Sequence, residues 1–326
     1  MLSRTAEGLF WMSRYIERMS NIARLLDAGR RMDALPQEPD ARSTEWASIL
    51  ISAGCRDSYP SDLDDANQAN ALAHLVWDED NPSSIYACAK AARSNARAVR
   101  VALTSEVWDV INQTYLELRD VYRLRPISRD LVGFLDWVKE RAALMRGMIA
   151  STMLRDDGYA FIEMGKWIER ADATARLLDV KYHVLLPSAG NVGGGVDTLQ
   201  WMNVLRATNS ARAYRHVYRR TVEPRGVVDL LVLNRISPRS LITCITQCLL
   251  SLHEVAGFEG AQSDLVNRLQ ALQERLSTTN LDAIFTYGLH EWLTDFIIEV
   301  NNLAVAIGDA FSFHPPAPAT LQPQPQ

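Results

Sequence analysis

The sequence predicts an all-α protein, a multi-helix bundle built from two pseudo-repeats of about 150 residues. Three observations predict it. Nearly every segment between chain breakers carries apolar residues at spacings of three and four, rather than the alternation of a half-buried strand. The stretch 1–27 returns without a gap as 153–179, with 11 of 27 positions identical. Later landmarks then recur in the same order. Trp46 pairs with Trp201, Asn81-Pro82-Ser83-Ser84-Ile85 with Ser237-Pro238-Arg239-Ser240-Leu241, and Gly133-Phe134-Leu135-Asp136-Trp137 with Gly288-Leu289-His290-Glu291-Trp292. The pseudo-repeats therefore span about 1–150 and 151–313, in one helical domain over 1–313. Residues 314–326, rich in Pro and Gln, are expected to be disordered.

The first helix is predicted over Leu9 to Ala28, where Met12, Ile16, Met19, Ala23 and Leu26 share a face. Residues 36–44 read as a short polar loop. Residues 84–122 give two helices broken near Leu103-Thr104-Ser105, with Thr104 or Ser105 capping the second. Helices follow over 129–154, 158–186, 197–222, 238–256, 262–276 and 280–311. Pro82 and Pro238 suit the first turn of a helix, where a missing N–H costs nothing. The most strand-like run is Val227 to Leu233. Its equivalent in the first copy, Ala71 to Trp77, favours helix, so both are read as helical. Pro187 to Gly195 reads as a flexible loop.

Composition narrows the function. Hydrophobic content of 48% with 22% charged residues is that of an ordinary globular protein. A net charge of −5 argues against general nucleic-acid binding. No apolar run reaches membrane-spanning length, and the N-terminus has no signal-peptide core, so a cytoplasmic location is the expectation. Four cysteines do not form a disulfide framework. Cys244 and Cys248 could share a helical face and hold a metal. Cys88, however, stands at the position equivalent to Cys244, and no second Cys or His pair lies nearby, so both read as small buried residues. A carboxylate-bridged metal centre needs Glu-x-x-His, whereas the third residue after Glu17 is Ser20 and after Glu169 is Asp172. Gly193-Gly194-Gly195 lacks the Lys of a phosphate-binding loop. No metal and no cofactor is expected.

The repeated feature with chemistry in it is a Glu-Arg stripe. On a helix advancing about 100° per residue, Arg14, Asn21 and Arg24 lie within about 60° of Glu17, beside Ser13, Ser20 and Asp27. In the second copy Lys166, Glu169 and Arg176 line up, flanked by Asp172 and Asp179. Three roles fit. The stripes can be solvated faces, with intrahelical pairs contributing about 0.2–0.5 kcal/mol each. They can fix the register of two packed helices. Or a pseudo-twofold can bring Glu17 and Glu169 to a shared polar cavity, as general bases or amine ligands, with arginines such as Arg18 and Arg170 holding an anion. Arg155 and Arg239 are further candidates to line such a cavity.

Two other basic faces are candidate anion or docking sites: Arg93, Arg97 and Arg100 with Asn95, and Arg212 with Asn209, His216 and Arg219. The alternative is solvated faces paired with neighbouring acids. The second face has no counterpart in the first copy, where Asp57 and Pro60 stand opposite Arg212 and Arg215.

The chain resembles the bacterial alpha-E family. The resemblance is carried by Tyr15-Ile16-Glu17-Arg18, by Asn81 to Ile85 leading into Ala92-Arg93-Ser94-Asn95-Ala96-Arg97, and by Glu106-Val107-Trp108. Arg155-Asp156-Asp157-Gly158, Trp167-Ile168-Glu169-Arg170 and Pro238-Arg239-Ser240 complete it. It covers all but the tail, with one departure: Ser94 stands where the family usually has Glu. It implies a helical protein that works with a circularly permuted ATP-grasp-type ligase, often beside a transglutaminase-like cysteine protease, in peptide- or amide-bond formation. Three functions compete. The protein can be an accessory or co-catalytic partner that docks the ligase and holds an amino-acid or peptide substrate. It can be an acid–base enzyme of amide chemistry using Glu17 and Glu169, or a purely structural helical module.

Overall fold

Two long helices, Ser3–Asp33 (α1) and Asp157–Val184 (α7), pack against each other in the same direction at the centre of the molecule. This is a computed structural model, and the described residues are 1–34, 45–124, 130–184, 195–256 and 260–313. The direction follows from three contacts in order along the pair. The amino terminus of Met1 lies 3.6 Å from Asp157, Phe10 packs on Gly165, and Arg18 bonds to Glu169.

The other described helices wrap this pair. They are α2 (Glu45–Ser52), α3 (Gln68–Leu72), α4 (Ile85–Ala98), α5 (Ser105–Leu124), α6 (Leu131–Thr152), α8 (Gly195–Ala207) and α9 (Ala211–Tyr218). After them come α10 (Pro224–Val228), α11 (Leu241–His253), α12 (Gly260–Thr278), α13 (Leu281–Tyr287) and α14 (Leu289–Ala310). The all-α expectation holds among the described residues. Helices α4 and α6 flank α1, and α11 and α14 flank α7 in the same way. Helix α2 crosses over to pack on α7, and α8 crosses over to pack on α1. Each sequence half therefore supplies a wall around the other half's central helix.

Local chemistry explains where the elements start and stop. Ser84 and Ser240 cap α4 and α11, their hydroxyls accepting from the amides of Ala87 and Thr243 at 3.0 and 3.2 Å. Pro82 and Pro238 lie ahead of these caps instead of in the first helical turn. Each follows the first residue of a tight turn, closed by Ser84 N–H to Asn81 C=O and Ser240 N–H to Ser237 C=O, where the fixed φ of proline fits. Thr104 caps α5, accepting from Val107 N–H.

Two segments predicted as single helices are each broken in two. The 197–222 segment splits between α8 and α9, where Asn209 takes a left-handed conformation at φ 57°. The 280–311 segment splits at Gly288, whose φ of 107° is open to glycine. The strand-like run continues α10 as a single π-helical turn, Asp229–Leu233, and Ala73–Trp77 does the same after α3. The predicted loop at 36–44, the tail at 314–326 and the predicted loop at 187–195 lie outside the described residues, except for Gly195, which begins α8.

Helix α1 is buried on nearly every side. Met12, Ile16, Met19 and Leu26 are in the core, and so are Ser13, Arg14, Glu17, Ser20, Asn21 and Asp27 on the polar stripe. The stripe is a packed face, because α7 lies along it. Among the described residues, no helix is long and apolar enough to cross a membrane.

The close approach of α1 to α7 depends on Gly165, since a methyl group there would run into the Phe10 carbonyl. That oxygen is held inside α1 and cannot yield as a side chain can. Gly165→Ala is therefore expected to lower the urea unfolding midpoint, overpacking of about 1–3 kcal/mol outweighing the roughly 1 kcal/mol gain in helix propensity. Gly147→Ala, at an exposed position of α6 with open space around it, is expected to raise the midpoint. Equal gains from the two variants would contradict this packing.

Candidate functional site

The parallel register of α1 and α7 sets each Glu-Arg dipeptide against the other. Arg18 grips both oxygens of Glu169, Nε to Oε1 at 2.6 Å and Nη2 to Oε2 at 3.0 Å. Arg170 grips Glu17 in the same way, Nε to Oε1 at 2.8 Å and Nη2 to Oε2 at 3.1 Å. Such two-point pairs combine charge with fixed geometry. Each carboxylate takes further arginines. Arg14 Nε donates to Glu169 at 2.8 Å, and Arg146 Nη1, from α6, donates to Glu17 at 2.9 Å. Arg239, from the turn before α11, reaches Glu17 at 3.5 Å. Tyr15 lies under the Arg18 guanidinium, and Trp167 lies under that of Arg170 with 4.8 Å to the ring centre.

Both carboxylates are buried, Glu17 at 0% exposure and Glu169 at 3%. Burial by itself disfavours their ionised form. It is outweighed at Glu17 by Arg170, Arg146 and Arg239, which hold the carboxyl well below the usual carboxylate range. At Glu169 the same contest, won by Arg18 and Arg14, brings the carboxyl down to about 2. Arg18 and Arg170 are likewise held protonated by their partners despite burial. Cys88 and Cys244 sit beside the two pairs, and burial pushes each thiol up to about 12, so neither is a nucleophile near neutral pH.

Each glutamate lines its own cavity. Glu169 borders a half-open cleft of about 140 Å³, with Arg18, Asn21, Asp172, Arg176 and Asn301 among its walls. Glu17 borders a space of about 50 Å³ with Arg146, Glu163 and Lys166. Among the described residues the two carboxylates thus border separate spaces, each held by its own arginines.

The remaining predicted site residues lie elsewhere. Arg93 bonds to Asn112 at 2.7 Å and packs over Tyr115, while Arg100 packs over Trp108. Asn95 turns its amide to the Ala91 carbonyl, and Arg97 is exposed. Arg155 is exposed, stacked 3.9 Å above Tyr159 and bonded to the Ala150 carbonyl. Arg212 is exposed on α9. Of the predicted binding arginines Arg18, Arg170 and Arg239 converge with the glutamates, and Arg14 of the stripe joins them. Arg146 carries no signal in the sequence, since it aligns with Asn301 in the second copy and no repeated charge marks it.

A family model, described as a predicted alpha-helical domain with a conserved ER motif, matches residues 1–311. Glu17-Arg18 and Glu169-Arg170 are Glu-Arg dipeptides of that kind. The chain is also similar to uncharacterized proteins of Mycobacterium bovis and of two strains of Mycobacterium tuberculosis. Each is 23% identical over 328 residues, covering 91% of this chain and 35% of the relative. The chain thus spans about a third of the length of these relatives. No solved structure matches it.

Both glutamates bind protons more weakly in the folded protein than in the unfolded chain, where a glutamate titrates near ~4.3. Their stabilisation is complete above that value and is withdrawn as the pH falls toward about 2. Urea unfolding is expected to give a midpoint that holds steady from about pH 7 to 5 and falls below. Glu169→Gln is expected to lower the midpoint at neutral pH and to fall less steeply in acid. A variant profile parallel to that of the parent would contradict this assignment.

Proposed function

The chain belongs to the alpha-E family, and from that premise and the geometry of its ion pairs we propose that it is an accessory component of an amide-bond-forming system. It docks a circularly permuted ATP-grasp-type ligase and holds an amino-acid or peptide substrate for it, without itself supplying the acid or base. The observation that carries the non-catalytic part is the state of the two motif glutamates. A general base works best with a proton affinity near the working pH, and these carboxylates are held far below it by arginines on both oxygens. The acid–base enzyme reading asks for proton transfer at the two groups least able to accept one.

Two features support the binding part. The cleft beside Glu169 carries guanidinium, carboxylate and amide groups within one wall, a mixture that suits a zwitterion such as an amino acid. The relatives carry the matching region in chains roughly three times as long, as befits a module that works beside another polypeptide. A transglutaminase-like protease is a further candidate partner, and the cytoplasm is the compartment this reading assigns.

The test is reconstitution with a circularly permuted ATP-grasp-type ligase. A stable complex on size exclusion, and ligase turnover that rises when this chain is added, are the expected results. Failure to associate, with turnover unchanged, would sink the reading. Should the pair associate, Glu17→Gln, which leaves the Glu169 cleft in place, is expected to weaken output only in proportion to folded protein. A complete loss of output at full folding would restore the enzyme reading.

A further inference from the structure

The two ion-pair centres share a skeleton but not a charge balance. On the Glu169 side, Arg14, Arg18 and Arg176 face two carboxylates, Glu169 and Asp172. Arg176 Nε donates to Asp172 at 2.7 Å, and Asn301 holds the other Asp172 oxygen at 3.1 Å. On the Glu17 side the aligned positions read differently: Ser20 for Asp172, Arg146 for Asn301, and Arg239 for Ser83. Four guanidinium groups, those of Arg24, Arg146, Arg170 and Arg239, share one close carboxylate. Asp27, farther along α1, is engaged by Arg30, Arg31 and Lys139, and Lys166 by Glu163.

Unpartnered polar atoms lie along α1 around Asn21, which stands between the Glu169 cleft and Arg239. Asn21 Nδ2, Ser20 Oγ and Arg24 Nε are buried without a hydrogen-bond partner among the described residues. So is Thr174 Oγ1, one turn along α7 from Arg170. Asn21 is 3% exposed and Arg239 is 7%. Among the described residues Arg239 makes only long contacts, 3.5 Å to Asn21 Oδ1 and 3.5 Å to Glu17. Burial, then the nearby positive charges, push the Arg239 guanidinium well below its ordinary range, and burial does the same to Arg24 more mildly. A guanidinium does not resolve such a conflict by losing its proton; it is resolved by a counter-charge.

We infer that the chain binds a tetrahedral oxyanion of phosphate type, free or as the phosphoryl end of a larger molecule, between Arg24 and Arg239 and against Asn21 and Ser20. A dianion matches the surplus of positive charge better than a carboxylate does. The donors also arrive from two separate elements, α1 and the turn before α11, an approach suited to a tetrahedral group more than to a planar one. Access is from the side of Arg24, which is only partly buried. This goes beyond the docking reading: it concerns the isolated chain, and neither result decides the other.

The experiment is calorimetric titration and thermal unfolding of the whole chain. The ligands are inorganic phosphate, O-phosphoserine and acetate, with ionic strength held by chloride. Phosphate or phosphoserine is expected to bind saturably and to raise the unfolding midpoint, and acetate to do neither. The stronger of the first two shows whether the free anion or a phosphoryl group is preferred. Arg239→Gln is expected to fold and to lose at least about tenfold in affinity. Ser20→Asp, which supplies the carboxylate that Asp172 supplies on the other side, is expected to raise the midpoint without phosphate and to abolish the response. Phosphate no better than chloride, acetate as good as phosphate, or an intact response in Ser20→Asp would each overturn the proposal.

Discussion

Two carboxylates buried between two parallel helices are tolerable only if each meets its arginines, and the rest of the fold follows from that requirement. An unpaired charge in such a place costs several kcal/mol, so the pairs exclude any sliding or rotation of α1 against α7. Arg18 must reach Glu169 while Arg170 reaches Glu17, which fixes register and direction together. The backbones must also come close, and Gly165 against the Phe10 carbonyl allows it. The flanking elements complete the compensation: α6 brings Arg146, and the turn before α11 brings Arg239. The motif therefore acts as a reciprocal clasp between the two sequence halves, in contrast to a solvated stripe or a pair of free acids.

Much of this architecture is legible in the sequence because helical periodicity and turn chemistry are local. The break before α5 with its Thr104 cap and the long central helices follow from neighbouring residues. The prolines expected in the first turns of α4 and α11 sit instead in the turns ahead of the Ser84 and Ser240 caps. The split at Asn209 does not follow from neighbouring residues, since it depends on one non-glycine residue taking a left-handed conformation. The Glu-Arg repeat marks the right residues, but the helical wheel of α1 alone reads its polar face as separate from packing. Burial of that face depends on α7, more than 150 positions away, and a wheel drawn for one helix cannot show it. Arg146 is hidden for the same reason: its charge has meaning only opposite Glu17.

The state of the site shapes what the protein can do. Carboxylates that are fully compensated hold structure and give little to proton transfer. Interest moves to what surrounds them, a mixed-charge cleft beside Glu169 and a surplus of guanidinium groups beside Glu17. The two halves share their clasp and differ around it, as expected when a common frame carries two different binding environments.

The central claim is that the reciprocal pairs are energetically coupled across the α1–α7 interface. The most direct measurement is a double-mutant cycle on Arg18→Met and Glu169→Gln, read by urea unfolding at neutral pH and low salt. Each single change is expected to cost about 3–5 kcal/mol, because it strands a buried charge, and the double change far less than their sum. Single costs near zero, or costs that simply add, would contradict the account.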